Sequence, residues 1–290
     1  MLPLPTLATQ HMALPVSDVA SPELLASAAS DYHTHGFCIL PAGTVPHSVC
    51  GDDLKFSAIQ EGRWHMQQND KDRTSINSRH LLGLAPWRNL FLHVVSDSIV
   101  GQVMQELFGD AWWFDRMGGE VVAPHARFDE KSCSPHSDWR NVPKAVVAVS
   151  VYVHDTVDED RAPLVLYSKA TNHKVVCTGQ RGTAIIRDVD VIHRGSVNHT
   201  RDLKAVPCLR FFLPNALRQE YYPARFLTYD QALQLSHNDT DIMERLLLVI
   251  QSDDSDMDTD RSARQRLPLP TSMGDEPFAD TDTPSMSPGF

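Results

Sequence analysis

The sequence predicts a mainly β protein with flanking helices. From Trp112 onward seven β-rich runs follow one another: WWFDRM, GEVVAP, AVVAVSVYV, APLVLY, KVVCT, TAIIRDV and VPCLRFFLP. Clusters of Gly, Pro, Asn and Asp separate them, which is the punctuation of short strands. No helical stretch lies between these runs, so parallel βαβ units are disfavoured. Antiparallel strands at this spacing suggest a sandwich or barrel, of which a double-sheet jelly roll is one form.

Ahead of the strands, residues 1–20 contain several prolines and read as an irregular arm. SPELLASAASDYHTHG then predicts a helix: Ser21 can cap it, Pro22 suits its first position and Gly36 ends it. FCIL follows as a short buried strand. Residues 44–75 are polar and show no clear period. DSIVGQVMQELFG predicts a second helix, with Ile99, Val100, Val103 and Leu107 on one face and a stop at Gly109. After the strands, QALQL and DIMERLLLVI look helical. One domain is therefore expected over 21–250, followed by an acidic tail at 251–290 with five prolines and few large apolar side chains.

That tail holds nine acidic residues against three arginines, which leaves −5 of the net −11 on the rest of the chain. The balance argues mildly against nucleic acid as a partner. Five cysteines, odd in number and without a CxxC pair, suggest free thiols in a reducing compartment. No Lys or Arg precedes Lys55, so the start lacks the charge of a targeting segment, and no apolar run is long enough to span a bilayer. A cytoplasmic protein is the expectation.

The chemistry-bearing stretch is SPHSDWR, with His136 and Asp138 two residues apart. In an extended segment, residues i and i+2 point the same way, so an imidazole and a carboxylate could face one ion. With 14 histidines, about one HxD pair arises by chance, and His237-Asn238-Asp239 is a second. No histidine follows that second pair, and it reads as surface polarity. His33 and His35 fall in the last turn of the first helix, where they suit its dipole without a metal. A non-heme Fe(II) site needs two histidines and a carboxylate. His193, which follows the strand TAIIRDV and lies 57 residues beyond His136, is the candidate third ligand.

Together these segments resemble the phytanoyl-CoA dioxygenase (PhyH-like) family of Fe(II)/2-oxoglutarate-dependent oxygenases. HSDW is similar to the family's HxD followed by an aromatic residue. VYVHDTVDEDRAPLVLYSKATNHK resembles its strand, acidic turn, strand and "GSH" turn. RDVDVIHRGSVNHT resembles the segment that carries the distal histidine, and HGFCILPAG matches the opening; the likeness covers residues 20–215. It implies a double-stranded β-helix (jelly-roll) core over about residues 112–215, with Fe(II) on His136, Asp138 and His193. It also implies 2-oxoglutarate and O2 as cosubstrates, with decarboxylation to succinate and CO2 and hydroxylation or desaturation of a small organic molecule. The presence of Asp138 favours oxygenation over halogenation, because related halogenases lack the carboxylate.

One departure concerns the cation for the far carboxylate of 2-oxoglutarate. Family members usually place an Arg where this sequence has Lys204, eleven residues after His193. Lysine holds a carboxylate as a point charge, without the arginine fork. Lys204 ranks first as anchor, Arg210 second and Arg201 third. If Lys204 begins the last strand, Arg210 shares its face about 20 Å further along. Thr200 and Asn198 could bond near the cosubstrate, although shaping the turn is the commoner task for such residues. Two other functions compete: an oxygenase acting on a nucleic acid base or protein side chain, and a non-catalytic jelly-roll binder that lost its cosubstrate with the Arg-to-Lys change.

Overall fold

Two antiparallel sheets face each other in the structure, a computed structural model that describes residues 19–69, 73–78, 80–96, 98–109, 112–125, 134–138 and 146–213. The expected helices QALQL and DIMERLLLVI, the acidic tail and most of the N-terminal arm lie outside these residues.

Helix α1 (Pro22–His35) starts where local chemistry predicts. Ser21 Oγ accepts from Leu24 N–H, and the chain leaves through Gly36 at φ 82°. A side chain at Gly36 would also collide with Val191 and with the Lys169 stem. Strand β1 (Phe37–Leu40) follows. The polar stretch after it folds into α2 (His47–Cys50), α3 (Asp52–Asn69) and the edge strand β2 (Arg73–Ser78). After a short 3-10 turn come α4 (Ala85–Val95) and α5 (Ile99–Phe108), the latter capped by Ser98 and ended at Gly109.

The expected runs WWFDRM and GEVVAP are one strand, β3 (Trp113–Val122), which continues straight through Gly118 and Gly119. Its backbone is hydrogen-bonded on both sides, to β2 and to β9, and this holds the glycines extended. The remaining strands are β4 (Val146–Val151), β5 (Leu164–Tyr167), β6 (Lys174–Cys177), β7 (Ala184–Asp188), β8 (His193–Arg194) and β9 (Lys204–Phe212). The larger sheet runs β1-β7-β4-β9-β3-β2 and the smaller β6-β5-β8. The larger sheet thus includes β1 and β2, which precede the stretch 112–215.

Alternation along the strands builds two cores. Val147, Val149, Val151, Leu209 and Phe211 face the helices and pack with Trp87, Phe91, Val103 and Met104. A smaller cluster fills the space between the sheets: Phe37, Tyr152, Leu166, Cys177, Ile185 and Val191. Because β4 is buried on both faces, it reads as a near-continuous apolar run. Helix α3 approaches β3 closely at Gly62, where an added Cβ would lie 2.5 Å from Val121. Among the described residues, no helix is long and apolar enough to cross a membrane.

Candidate metal centre

The HSD segment joins the smaller sheet through a single antiparallel bridge. His136 N–H donates to His193 O at 2.9 Å, and His193 N–H donates to His136 O at 2.7 Å. Residues paired in this way project their side chains to the same face. The register therefore brings the two imidazoles together, with centroids 4.6 Å apart. Asp138, two residues on, presents Oδ1 at 3.5 Å from His193 Nε2 and 3.9 Å from His136 Nε2. One ligand atom from each of the three residues lies within 4.8 Å of the others.

Both rings are held in the tautomer that a metal requires. His136 Nδ1 lies 2.9 Å from Ser134 O, and His193 Nδ1 lies 2.9 Å from Val191 O. A carbonyl only accepts, so each Nδ1 carries a proton and Nε2 is the ring atom that faces Asp138 and is available to a metal. Burial and the neighbouring Arg187 guanidinium push the His193 pKa down, which keeps that imidazole neutral. Burial alone would raise the Asp138 carboxyl, but contact with His193 and the charges of Arg187 and Arg210 hold it well below the usual carboxylate range. Two imidazoles and one ionised carboxylate form the donor set suited to Fe(II), with positions left over for other ligands. The half-exposed His136 leaves the cluster accessible from one side.

Asp138 divides its two oxygens between two tasks. Oδ1 faces the histidines, and Oδ2 accepts from Arg187 Nη2 and Arg210 Nη2, each at 3.0 Å. The Arg187 guanidinium also lies along the His193 ring, with Nη1 3.5 Å from Nδ1 and Nη2 3.4 Å from Nε2. Because Nδ1 already donates to Val191, that contact is a stacking contact. Sequence reasoning missed Arg187. Its signal is a lone cation inside the apolar strand AIIRD, on the face opposite Ile186, which belongs to the helix-facing core.

Lys204 begins β9 and is buried, on the same face as Arg210. Among the described residues its ammonium makes no ion pair or hydrogen bond, and burial together with Arg161 and Lys55 pushes its pKa down. Next to it, Ala205 N–H donates to His154 Nε2 at 3.0 Å. Burial and the nearby cations, Lys204 foremost, push His154 down to about 3. Arg201 is exposed in the turn before β9. Thr200 Oγ1 donates to Asn198 Oδ1 at 2.7 Å, and Asn198 Nδ2 donates to the carbonyls of Val122, Ala123 and Asp202. Asn198 thus fastens the β8–β9 turn to the end of β3, and Thr200 bonds within the turn itself. Trp139 and Arg140 lie outside the described residues.

The sequence matches no protein-family model and no curated protein. Among solved structures, the chain is similar to the non-heme alpha-ketoglutarate-dependent epimerase SnoN from nogalamycin biosynthesis. The identity is 13%, the match covers 71% of this chain and 92% of SnoN, and the TM-score is 0.51. SnoN in complex with Fe3+, alpha-ketoglutarate and nogalamycin RO matches at 12% identity over 71% of this chain and 93% of that one, with a TM-score of 0.51. AviO1 from Streptomyces viridochromogenes Tue57 matches at 16% identity over 70% and 98% of the two chains, also with a TM-score of 0.51. At such identities the likeness is one of fold. The chain has the double-stranded β-helix fold that its phytanoyl-CoA dioxygenase-like motifs imply, the fold of the alpha-ketoglutarate-dependent epimerase SnoN.

Proposed function

We propose that the protein is an Fe(II)/2-oxoglutarate-dependent oxygenase that hydroxylates or desaturates a small organic molecule, converting 2-oxoglutarate to succinate and CO2. The observation that carries this reading is the convergence of His136 Nε2, His193 Nε2 and an ionised Asp138, with both Nδ1 protons fixed on backbone carbonyls. A solved relative in fold binds iron, alpha-ketoglutarate and a small natural product, which supports the same division of roles. When bound, iron with 2-oxoglutarate supplies the oxidising power that activates O2 against a C–H bond. The chain's own residues hold and orient: His136, Asp138 and His193 take the metal, while Arg187 and Arg210 keep Asp138 ionised and fix which oxygen faces it.

For the far carboxylate of 2-oxoglutarate, Lys204 is the proposed anchor. It is buried on the inner face and makes no direct ion pair among the described residues, whereas Arg210 is engaged with Asp138 and Arg201 is exposed. A reducing, cytoplasmic setting suits the free thiols Cys38, Cys50, Cys177 and Cys208.

Anaerobic titration of the Fe(II)-loaded protein with 2-oxoglutarate tests the assignment. A visible metal-to-ligand charge-transfer band is expected in the wild type and not in His136→Ala. Bound iron without a band would reject 2-oxoglutarate as cosubstrate and favour the non-catalytic binder.

A further inference from the structure

Arginines 116, 187 and 210 are far apart in sequence, yet the register lines them up beside the metal centre. Ala148 of β4 is paired with Arg187 on one side and with Arg210 on the other, and Arg210 is paired with Arg116 across β3. Directly paired residues share a face, so the row Arg187–Ala148–Arg210–Arg116 spans four adjacent strands on the face that carries Asp138 contacts. Its middle member, Ala148, is small and fully buried.

The side chains open gradually toward solvent: Arg187 is 6% exposed, Arg210 18% and Arg116 33%. Arg187 Nε is buried without a hydrogen-bond partner among the described residues. Arg116 is held by Nε on the fully buried Asp115 at 2.8 Å, at the bulge in β3. That contact leaves its two Nη groups as a fork. Arg210 uses only Nη2 on Asp138.

Like charges directly opposed across a ladder, with Cβ atoms about 5 Å apart, destabilise a sheet. Arg116 opposite Arg210 is such a pair, and Asp115 and Asp138 each engage only one nitrogen of the two guanidinium groups, which leaves further N–H groups on both unmatched among the described residues. An anion held between the two arginines matches those N–H groups. Charge balance points the same way. With iron bound, one carboxylate faces two arginines and a dication, and a single 2-oxoglutarate dianion does not neutralise them.

The geometry points to a substrate that carries a carboxylate or phosphate group, bound by Arg116 and Arg210 at the open end of the arginine row. This inference rests on the oxygenase reading above and names the substrate class of the same site.

The test starts from the Fe(II)–2-oxoglutarate complex, so that its band reports the underlying reading first. Matched probes are then titrated, with binding read calorimetrically and by displacement of the band: phenyl phosphate against phenol, and phenylacetate against phenylacetamide. The wild type should bind at least one charged probe ten or more times tighter than its neutral counterpart, and the better pair identifies phosphate or carboxylate as the group. Arg116→Gln should lose that preference about tenfold. Because Asp115 is buried against Arg116, Arg116→Lys is measured as well. It keeps a cation over Asp115 but removes the fork, and the preference should fall several-fold in a protein that melts as the wild type does. A band with equal response to charged and neutral probes, no response to either included, overturns the inference and leaves the oxygenase reading standing. A preference undiminished in both variants also overturns it. Absence of the band in the wild type removes both together.

Discussion

Strand β9 carries a cation at each end of one face, and the two live in opposite circumstances. Arg210 sits beside Asp138, shares that carboxylate with Arg187, and keeps a fork partly open to solvent. Lys204 is buried, with Arg161 and Lys55 as well as Asp202 and Asp155 acting on it, next to a histidine that is itself held neutral. Arg210 has an ion-pair partner, which it shares with Arg187, whereas Lys204 makes no direct ion pair among the described residues and has Asp202 and Asp155 only as more distant counter-charges. A buried cation without a direct ion pair is costly to fold around, and a protein tolerates it where an anionic ligand completes it. The difference supports the proposed division between metal organisation at one end of the strand and cosubstrate capture at the other.

The sharpest way to break this division is Asp138→Ala. It removes a metal ligand and leaves Arg187 buried without its carboxylate. Iron binding should be lost in the anaerobic titration, and the metal-free protein should lose about 3 kcal/mol in urea unfolding. Equal stability would show that the arginines do not depend on Asp138. The other end answers to Lys204→Ala. The 2-oxoglutarate concentration at half-maximal band should rise about 100-fold, in keeping with a lost charge-assisted contact, and Lys204→Arg should restore it. Arg201→Ala should stay within about twofold, as expected of a solvated cation. A normal response from Lys204→Ala would move the anchor to Arg210.

Acid sharpens the comparison further. The folded pKa of His154 is depressed to about 3, so above its ordinary value, near 6.5, the neutral ring costs nothing in either state. As pH falls below about 6.5 the unfolded chain takes up a proton that the folded one refuses, and stability drops by up to about 1.4 kcal/mol per unit. Between pH 6.5 and 5 this amounts to about 2 kcal/mol. His154→Gln, whose carbonyl can still accept from Ala205 N–H, should flatten the slope; an unchanged slope in calorimetry would assign it elsewhere. The smallest effect belongs to the turn. Thr200→Val should cost about 1 kcal/mol, or about 3 °C in Tm, with 2-oxoglutarate affinity unchanged. A weaker affinity would instead give Thr200 a direct role at the cosubstrate.

Local chemistry made α1 and α5 readable in advance, since Ser21 and Ser98 accept the first-turn N–H groups and Gly36 and Gly109 end the helices within their own segments. Strands such as β4, β7 and β9 were readable because burial from two sides selects apolar β-branched and aromatic runs. The stretch around α2, α3 and β2 was not. RTSINS carries only a Thr and an Ile that favour a strand, and its ladder to β3 comes from a partner far along the chain. WWFDRM and GEVVAP looked like two strands because glycine favours a break locally, and only hydrogen bonds from both neighbours carry the backbone through.

By itself the sequence determined which elements form wherever the deciding interactions are local, and it marked His136, Asp138 and His193 through motifs that resemble a known family. The tertiary structure alone decided that a single bridge sets His136 opposite His193, and that register across three strands aims Arg187 and Arg210 at one oxygen of Asp138. Such convergence depends on which residues pair between distant strands. A slip of one residue would turn every one of those side chains to the opposite face.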